Sequence, residues 1–149
     1  MESLPLLTLI IILPSLGAFA ILLIKNDPQS VAQNARGVAL LTSIATFLLS
    51  LVLLNYFKIS CSDFQFLEKY SWVPKFSLNY YVGIDGISLP FILLTTFLVP
   101  ITILASWNVI LEKVKEYMIA FLVLETLIIG SFCALDLVLF YIFFEAVLI

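Results

Sequence analysis

Histidine is absent from the 149 residues, cysteine occurs only twice, and charged side chains make up only 11% of the chain. The first two shortages exclude haem, iron–sulfur, zinc and blue-copper centres, which draw on those residue types. No redox cofactor is therefore expected on this chain. A disulfide between Cys61 and Cys133 can be drawn, but Cys133 falls in or beside an apolar run, where a free buried thiol is the expected state. The net charge of −3 comes without a basic stripe, which argues against nucleic acid as a partner. Apolar residues take the place of the missing charge, at 63% with a mean hydropathy of +1.19. Soluble domains are nearer one half apolar and one quarter charged. Lipid is the solvent this composition implies, and an all-α membrane protein with a multi-pass bundle of about five spans is expected.

The first apolar run, 4–24, is long enough for a ~30 Å hydrocarbon core, which takes about 20 helical residues. It does not read as a signal peptide: only Glu2 precedes it as a charge, and no small-residue cleavage site follows. Lys25-Asn26-Asp27-Pro28 stops it, a polar stretch reaches Arg36, and a second span is expected over 37–57. The longest connection, 58–82, holds Phe64, Phe66, Tyr70, Trp72, Phe76, Leu78, Tyr80 and Val82 at alternate positions, broken by Val73-Pro74-Lys75. That alternation fits a β-hairpin on the membrane surface, and an aromatic-rich irregular loop fits it equally. A third span, 86–107, has Asp85 placed to cap its start, Trp107 at headgroup depth and Pro100 near its middle, where a kink is expected. Spans over 117–134 and 136–149 follow. Lys25, Arg36, Lys113 and Lys115 share one side of the membrane, and Lys58, Lys69 and Lys75 the other. The positive-inside rule puts the larger group inside by a narrow margin.

Two acids stand inside spans. Glu145 lies nine positions beyond Asp136, about 13.5 Å along a helix axis, and Glu125 is similarly deep in the fourth span. An ionisable group at bilayer centre costs about 2.5–3.5 kcal/mol on insertion scales, which surrounding Leu, Ile, Phe and Val residues offset at about 0.3–0.6 each. A carboxyl group able to take up and release a proton at that depth suits a proton relay; the plainer alternative is a protonated acid bonding neighbouring helices together. Asp136 faces away from Glu145 on its helix and reads as a helix-terminal cap at the interface. No lysine or arginine falls inside any span, so a basic partner for a proton-cycling acid would have to come from other helices.

The run Tyr81-Val82-Gly83-Ile84-Asp85-Gly86-Ile87-Ser88, followed by an apolar proline-containing helix, resembles the antiporter-like membrane subunits of proton-pumping NADH–quinone oxidoreductase (respiratory complex I). The run from Leu135 to Ile149, through Phe143-Phe144-Glu145-Ala146, and the Glu-Lys-Val-Lys-Glu-Tyr ahead of the fourth span narrow the resemblance to the chain 4 family, mitochondrial forms especially. The resemblance covers the whole chain, as the amino-terminal part of a roughly fourteen-helix subunit. It implies proton translocation driven by quinone reduction elsewhere in the complex. It also implies a relay role for Glu145, acting with lysines on later helices, and no nicotinamide, flavin or iron–sulfur site on the chain itself. The implied partners are other membrane-arm subunits, surrounding lipid, and a continuation or second chain that supplies the remaining helices and their lysines. Fourteen residues, 136–149, cover about 21 Å of helix, short of the core, so that continuation is expected just beyond Ile149. A composition rich in Phe, Ile and Leu and sparse in Ala and Gly points to the mitochondrial inner membrane rather than a bacterial plasma membrane. Two other functions compete: a subunit of a multisubunit cation/proton antiporter, and a membrane scaffold whose buried acids only join helices.

Overall fold

The computed structural model describes residues 5–25, 28–59, 63–73 and 78–148. Five helices and one hairpin follow in chain order: α1 (Leu6–Leu23), α2 (Pro28–Tyr56), β1 (Gln65–Val73), β2 (Leu78–Ile84), α3 (Ser88–Ser106), α4 (Val114–Cys133) and α5 (Leu137–Leu148). By length and composition, α1, α2 (from Ser30), α3 and α4 can each cross a membrane, while α5 is shorter. The chain is an all-α, multi-pass membrane protein with a small two-stranded sheet.

Helix bounds and hydrophobic spans differ most in the second helix. It begins at Pro28 rather than near residue 37, and its 29 residues extend about 43 Å, well over the hydrocarbon thickness. Proline at the first helical position is favourable, and the polar residues up to Arg36 continue the helix beyond the apolar layer. Hydropathy marks the immersed part of a helix, while backbone hydrogen bonding decides how far it runs. The third helix stays continuous through Pro100.

Helices α1–α4 form the bundle: α1 packs on α2 and α4, α2 on α3 and α4, and α3 on α4. Helix α5 lies outside it, against α4 and the second strand. Close approaches set these pairings. A Cβ on Gly17 would come within 2.6 Å of Thr42, and one on Gly130 within 2.6 Å of the Phe143 ring. Side chains larger than hydrogen at these two positions would separate α1 from α2 and α4 from α5.

The hairpin closes one end of the bundle. Its antiparallel register pairs Glu68 with Val82, Tyr70 with Tyr80 and Gln65 with Ile84, with a shift between Gln65 and Glu68 where Phe66 takes φ 54°. That bulge splits the alternating aromatic pattern. Phe66, Tyr80, Val82 and Ile84 pack on the bundle, whereas Phe64, Tyr70 and Trp72 stand exposed. Phe76 and the Pro74-Lys75 break lie outside the described residues. Val82 bridges Ala134, and Leu135 N–H donates to Tyr81 O at 2.9 Å, which ties the sheet to the turn between α4 and α5.

Glu68 ties the hairpin to α1. The α1 start, Leu4-Pro5-Leu6, offers no capping side chain, and its first turn holds no acid. The Glu68 carboxylate supplies the cap from 60 residues away, accepting from Leu7 N–H (2.9 Å), Thr8 N–H (3.2 Å) and the Thr8 hydroxyl. Helix N-termini leave such donors unpaired and favour negative charge. At the opposite end Lys115 Nζ donates to Leu22 O and Ile24 O (3.0 Å each), while Arg36 donates to Ile110 O at 2.7 Å with its guanidinium 5.9 Å from the Trp107 ring centre. Arg36 and Lys115 thus cluster at one end of the bundle.

Candidate functional site

The interior is layered. At the hairpin end Leu7, Ile10, Leu53, Ile84, Leu89, Ile92 and Ile129 form one apolar cluster with Cys133, which is buried and free. Cys61 lies outside the described residues. At the far end Ala18, Ile21, Ala35, Ala39, Ile103, Met118 and Leu122 form a second cluster. Between them every bundle helix places polar side chains: Ser15 on α1, Thr42, Ser43, Thr46 and Ser50 on α2, Thr96 on α3, and Glu125 with Thr126 on α4. Eight residues separate Thr96 from the start of α3 and Glu125 from the end of α4, about 12 Å in each case, so the two share a level. Ser15, nine residues into α1, lies at nearly the same depth.

The hydroxyls in this layer are satisfied locally. Thr46 donates to Thr42 O (3.0 Å), Ser43 to Leu40 O (3.0 Å) and Thr96 to Ile92 O (3.1 Å). Bonds back to the preceding turn let Ser and Thr sit inside an apolar helix. Two pairs cross between helices: Ser50 with Thr96 at 2.8 Å, and Ser15 donating to Thr126 at 2.9 Å.

Glu125 differs. It is 0% exposed, and neither carboxyl oxygen has a hydrogen-bond partner among the described residues. It belongs to the buried stripe Met118, Leu122, Glu125, Ile129 and Cys133 that turns α4 toward the bundle, so helical periodicity alone places it inside. A buried carboxyl group with no protein partner costs at least about 1–3 kcal/mol, more when ionised, a cost that packing alone does not explain.

Glu145 stands eight residues into α5, and the short turn 134–136 makes α4 and α5 antiparallel neighbours. Both acids are therefore about 12 Å from that turn. Glu145 is half-buried, and among the described residues no hydrogen bond or ion pair reaches its side chain. Ala146 and Val147 beside it line a cavity of about 310 Å³ against Ala120, Phe121, Leu124 and Leu127 of α4.

The two aspartates stand at helix starts. Asp85 Oδ1 accepts from Ser88 N–H (2.7 Å), Ile87 N–H (3.2 Å) and the Ser88 hydroxyl (2.7 Å), while Asp85 N–H donates to Ser88 Oγ at 2.9 Å. The Ser88 backbone bond, foremost, holds the Asp85 carboxyl below its ordinary range. Asp136 Oδ1 accepts from Val138 N–H (2.9 Å) and Leu139 N–H (3.2 Å) at the start of α5. In the hairpin, burial raises the Tyr80 phenol above its ordinary value, opposed by its 3.1 Å bond with the Thr8 hydroxyl.

Sequence reasoning singled out both deep acids and both aspartates, but not the hydroxyl layer or the Glu68 clamp. The first had a signal: Thr42, Ser43, Thr46 and Ser50 recur at helical spacing in the second span. The second had a weaker one, an acid set among alternating aromatics.

Comparison with known proteins gives a consistent set of relatives. The family described as NADH-ubiquinone oxidoreductase chain 4, amino terminus, matches residues 6–134. NADH-ubiquinone oxidoreductase chain 4 of Arabidopsis thaliana is 50% identical over 140 residues, 94% of this chain and 28% of its own length. NADH-quinone oxidoreductase subunit M of Rhodobacter capsulatus is 51% identical over 146 residues, 97% of this chain and 28% of its own. The subunit M of Rickettsia prowazekii is 40% identical over the full 149 residues, 30% of its own length. The chain thus spans under a third of the curated relatives it matches.

Proposed function

Because the chain belongs to the family of NADH-ubiquinone oxidoreductase chain 4, whose amino-terminal region it matches, we propose that it forms the front part of a proton-translocating membrane subunit of NADH:ubiquinone oxidoreductase. In this reading Glu125 and Glu145 carry protons across the middle of the membrane, coupled to quinone reduction elsewhere in the complex. Its partners are other membrane subunits of the complex, and helices beyond these five that bring lysines to Glu145. Its site of action is the mitochondrial inner membrane, a choice supported by the Phe-, Ile- and Leu-rich composition.

The observation that carries the reading is the buried Glu125 carboxyl, without a protein partner, in a hydroxyl layer between two apolar clusters. A carboxyl group holds one exchangeable proton, and a hydroxyl both donates and accepts, so this layer contains the parts a relay needs. The apolar clusters above and below keep bulk water from short-circuiting it. Glu145 lies at the same level on α5, where a proton leaving Glu125 could be received through helices supplied by the rest of the subunit.

The test is to replace each acid by glutamine in the assembled complex. Gln keeps volume and polarity but cannot carry the proton. Glu125→Gln and Glu145→Gln should each lower proton pumping and coupled quinone reduction and leave NADH oxidation by an artificial acceptor intact. Full pumping in both variants would refute the reading.

A further inference from the structure

We infer that Arg36, braced by Trp107 and the turn between α3 and α4, seats the phosphate of an anionic phospholipid at the end of the bundle opposite the hairpin. The seat is separate from the two deep acids and does not depend on the proposed proton transfer.

Arg36 is a half-buried cation without an anion. Its guanidinium lies over the Trp107 ring, 5.9 Å from the ring centre, and donates to Ile110 O at 2.7 Å. A guanidinium has five N–H donors, so most of its capacity is unused. Nε is enclosed and has no partner, and among the described residues no carboxylate bonds to Arg36. Arginine cannot relieve burial by losing its proton, so the relief must come from an anion. A phosphate fits, because two of its oxygens accept from two parallel N–H groups at once.

The surroundings select a lipid as the source of that phosphate. Trp107 closes α3, and Arg36 stands where the apolar part of α2 begins, so both lie at headgroup depth. On either side of Ile110, Val109 and Leu111 are 74% and 77% exposed, apolar side chains that the boundary between headgroups and acyl chains would cover. A free phosphate ion would satisfy Arg36 and leave Val109 and Leu111 in water, whereas a lipid meets both. Charge points the same way. Lys113 is exposed nearby, and Lys115 adds a second cation while holding Leu22 O and Ile24 O. Residues 24–36 and 107–116 hold four basic and three acidic side chains, against three basic and five acidic outside the spans at the hairpin end. The first end complements an anionic leaflet, and the second does not.

The test is a site-directed photocrosslink. The assembled complex is held in nanodiscs of phosphatidylcholine with a minority of phosphatidylglycerol, with a diazirine amino acid in place of Leu111, and the adducts are identified by mass spectrometry. Phosphatidylglycerol adducts should exceed that lipid's share of the bilayer by on the order of tenfold, since each basic residue at the surface adds a preference of about fivefold. Arg36→Gln should lower the enrichment about fivefold, and Arg36→Lys, which keeps the charge but loses the two-pronged donor, should lower it less. High salt should weaken it in the parent as well, and that arm decides if Arg36→Gln fails to assemble. Equal yields per lipid, an enrichment indifferent to salt or to the loss of Arg36, or adducts to a protein segment in place of lipid would overturn the inference. So would loss of the enrichment on adding inorganic phosphate at constant ionic strength, which would assign the seat to a soluble anion.

Discussion

Glu125 and Glu145 sit on neighbouring antiparallel helices at one level, yet their surroundings are opposite. Glu125 is fully enclosed by four helices that complete their own packing, and its carboxyl meets no partner there. Glu145 is half-buried on α5, which among the described residues packs chiefly on α4 and the second strand of the hairpin. The first acid has a site finished by the residues around it; the second has one wall of a site. A carboxyl group at bilayer depth therefore carries different information depending on what encloses it. For Glu125 the enclosure is legible in this chain, and for Glu145 only the side toward α4 is.

The largest way to break this contrast is to open one of the seals around Glu125. Leu122→Ala removes a buried side chain from the far cluster, and large-to-small changes in tightly packed interiors cost about 2–5 kcal/mol. Thermal unfolding of the complex should show that loss, and vesicles carrying the variant should leak protons without turnover. Tight vesicles would mean that the cluster does not insulate Glu125.

A somewhat smaller change acts on Glu145 alone. Gly130→Val drives a side chain into the Phe143 ring and should displace α5, at about 1–3 kcal/mol by the usual cost of overpacking. Crosslinking between cysteines on α4 and α5 should fall, while the Ser15–Thr126 contact and with it the α1–α4 pairing persist. Loss of both contacts together would show that the two acids share one site.

Smaller again is the clamp at the hairpin. Glu68→Gln removes the charge from a cap that accepts three bonds from Leu7 and Thr8, where charge-assisted bonds are worth about 1.5–3 kcal/mol in favourable settings and less when partly exposed. Amide hydrogen exchange in the first turn of α1 should quicken, with α4 unchanged.

The smallest effect is one of pH. The Asp85 carboxyl is held below its unfolded value of 3.8, so its contribution to α3 is present above that pH and is lost as pH falls through the still lower folded value. Asp85→Asn should therefore lower the local stability at the start of α3 near neutral pH, bring it level with the parent at low pH, and so remove part of its acid sensitivity. A variant as acid-sensitive as the parent would show that the capping bonds to Ser88 do not depend on charge.

Much of the architecture could be read from the sequence because lipid imposes strong rules. Long apolar runs gave the helices, the level of Glu125 and Glu145 followed from residue counting, and Asp85 and Asp136 stood where helix starts needed acceptors. Four things escaped that reading for physical reasons. The amino-terminal turns of α2 are polar and so invisible to hydropathy. The serines and threonines of the middle layer bond to their own helix and register as neutral, although four helices bring them to one level. The bulge at Phe66 turns one apparent apolar face into two, so Tyr70 and Trp72 stay exposed while Val82 and Ile84 pack into the bundle. Glu68 left only a weak local signal because its partners lie 60 residues away.

The central claim is that Glu125 changes its protonation during turnover. The most direct measurement is the infrared difference spectrum of the assembled complex, recorded between resting and quinone-reducing states, for the parent and for Glu125→Gln. The account predicts a band in the carboxylic-acid C=O stretching region that shifts or disappears on turnover in the parent and is missing from the variant. A difference spectrum that keeps every carboxylic band in Glu125→Gln, with pumping undiminished, would contradict it.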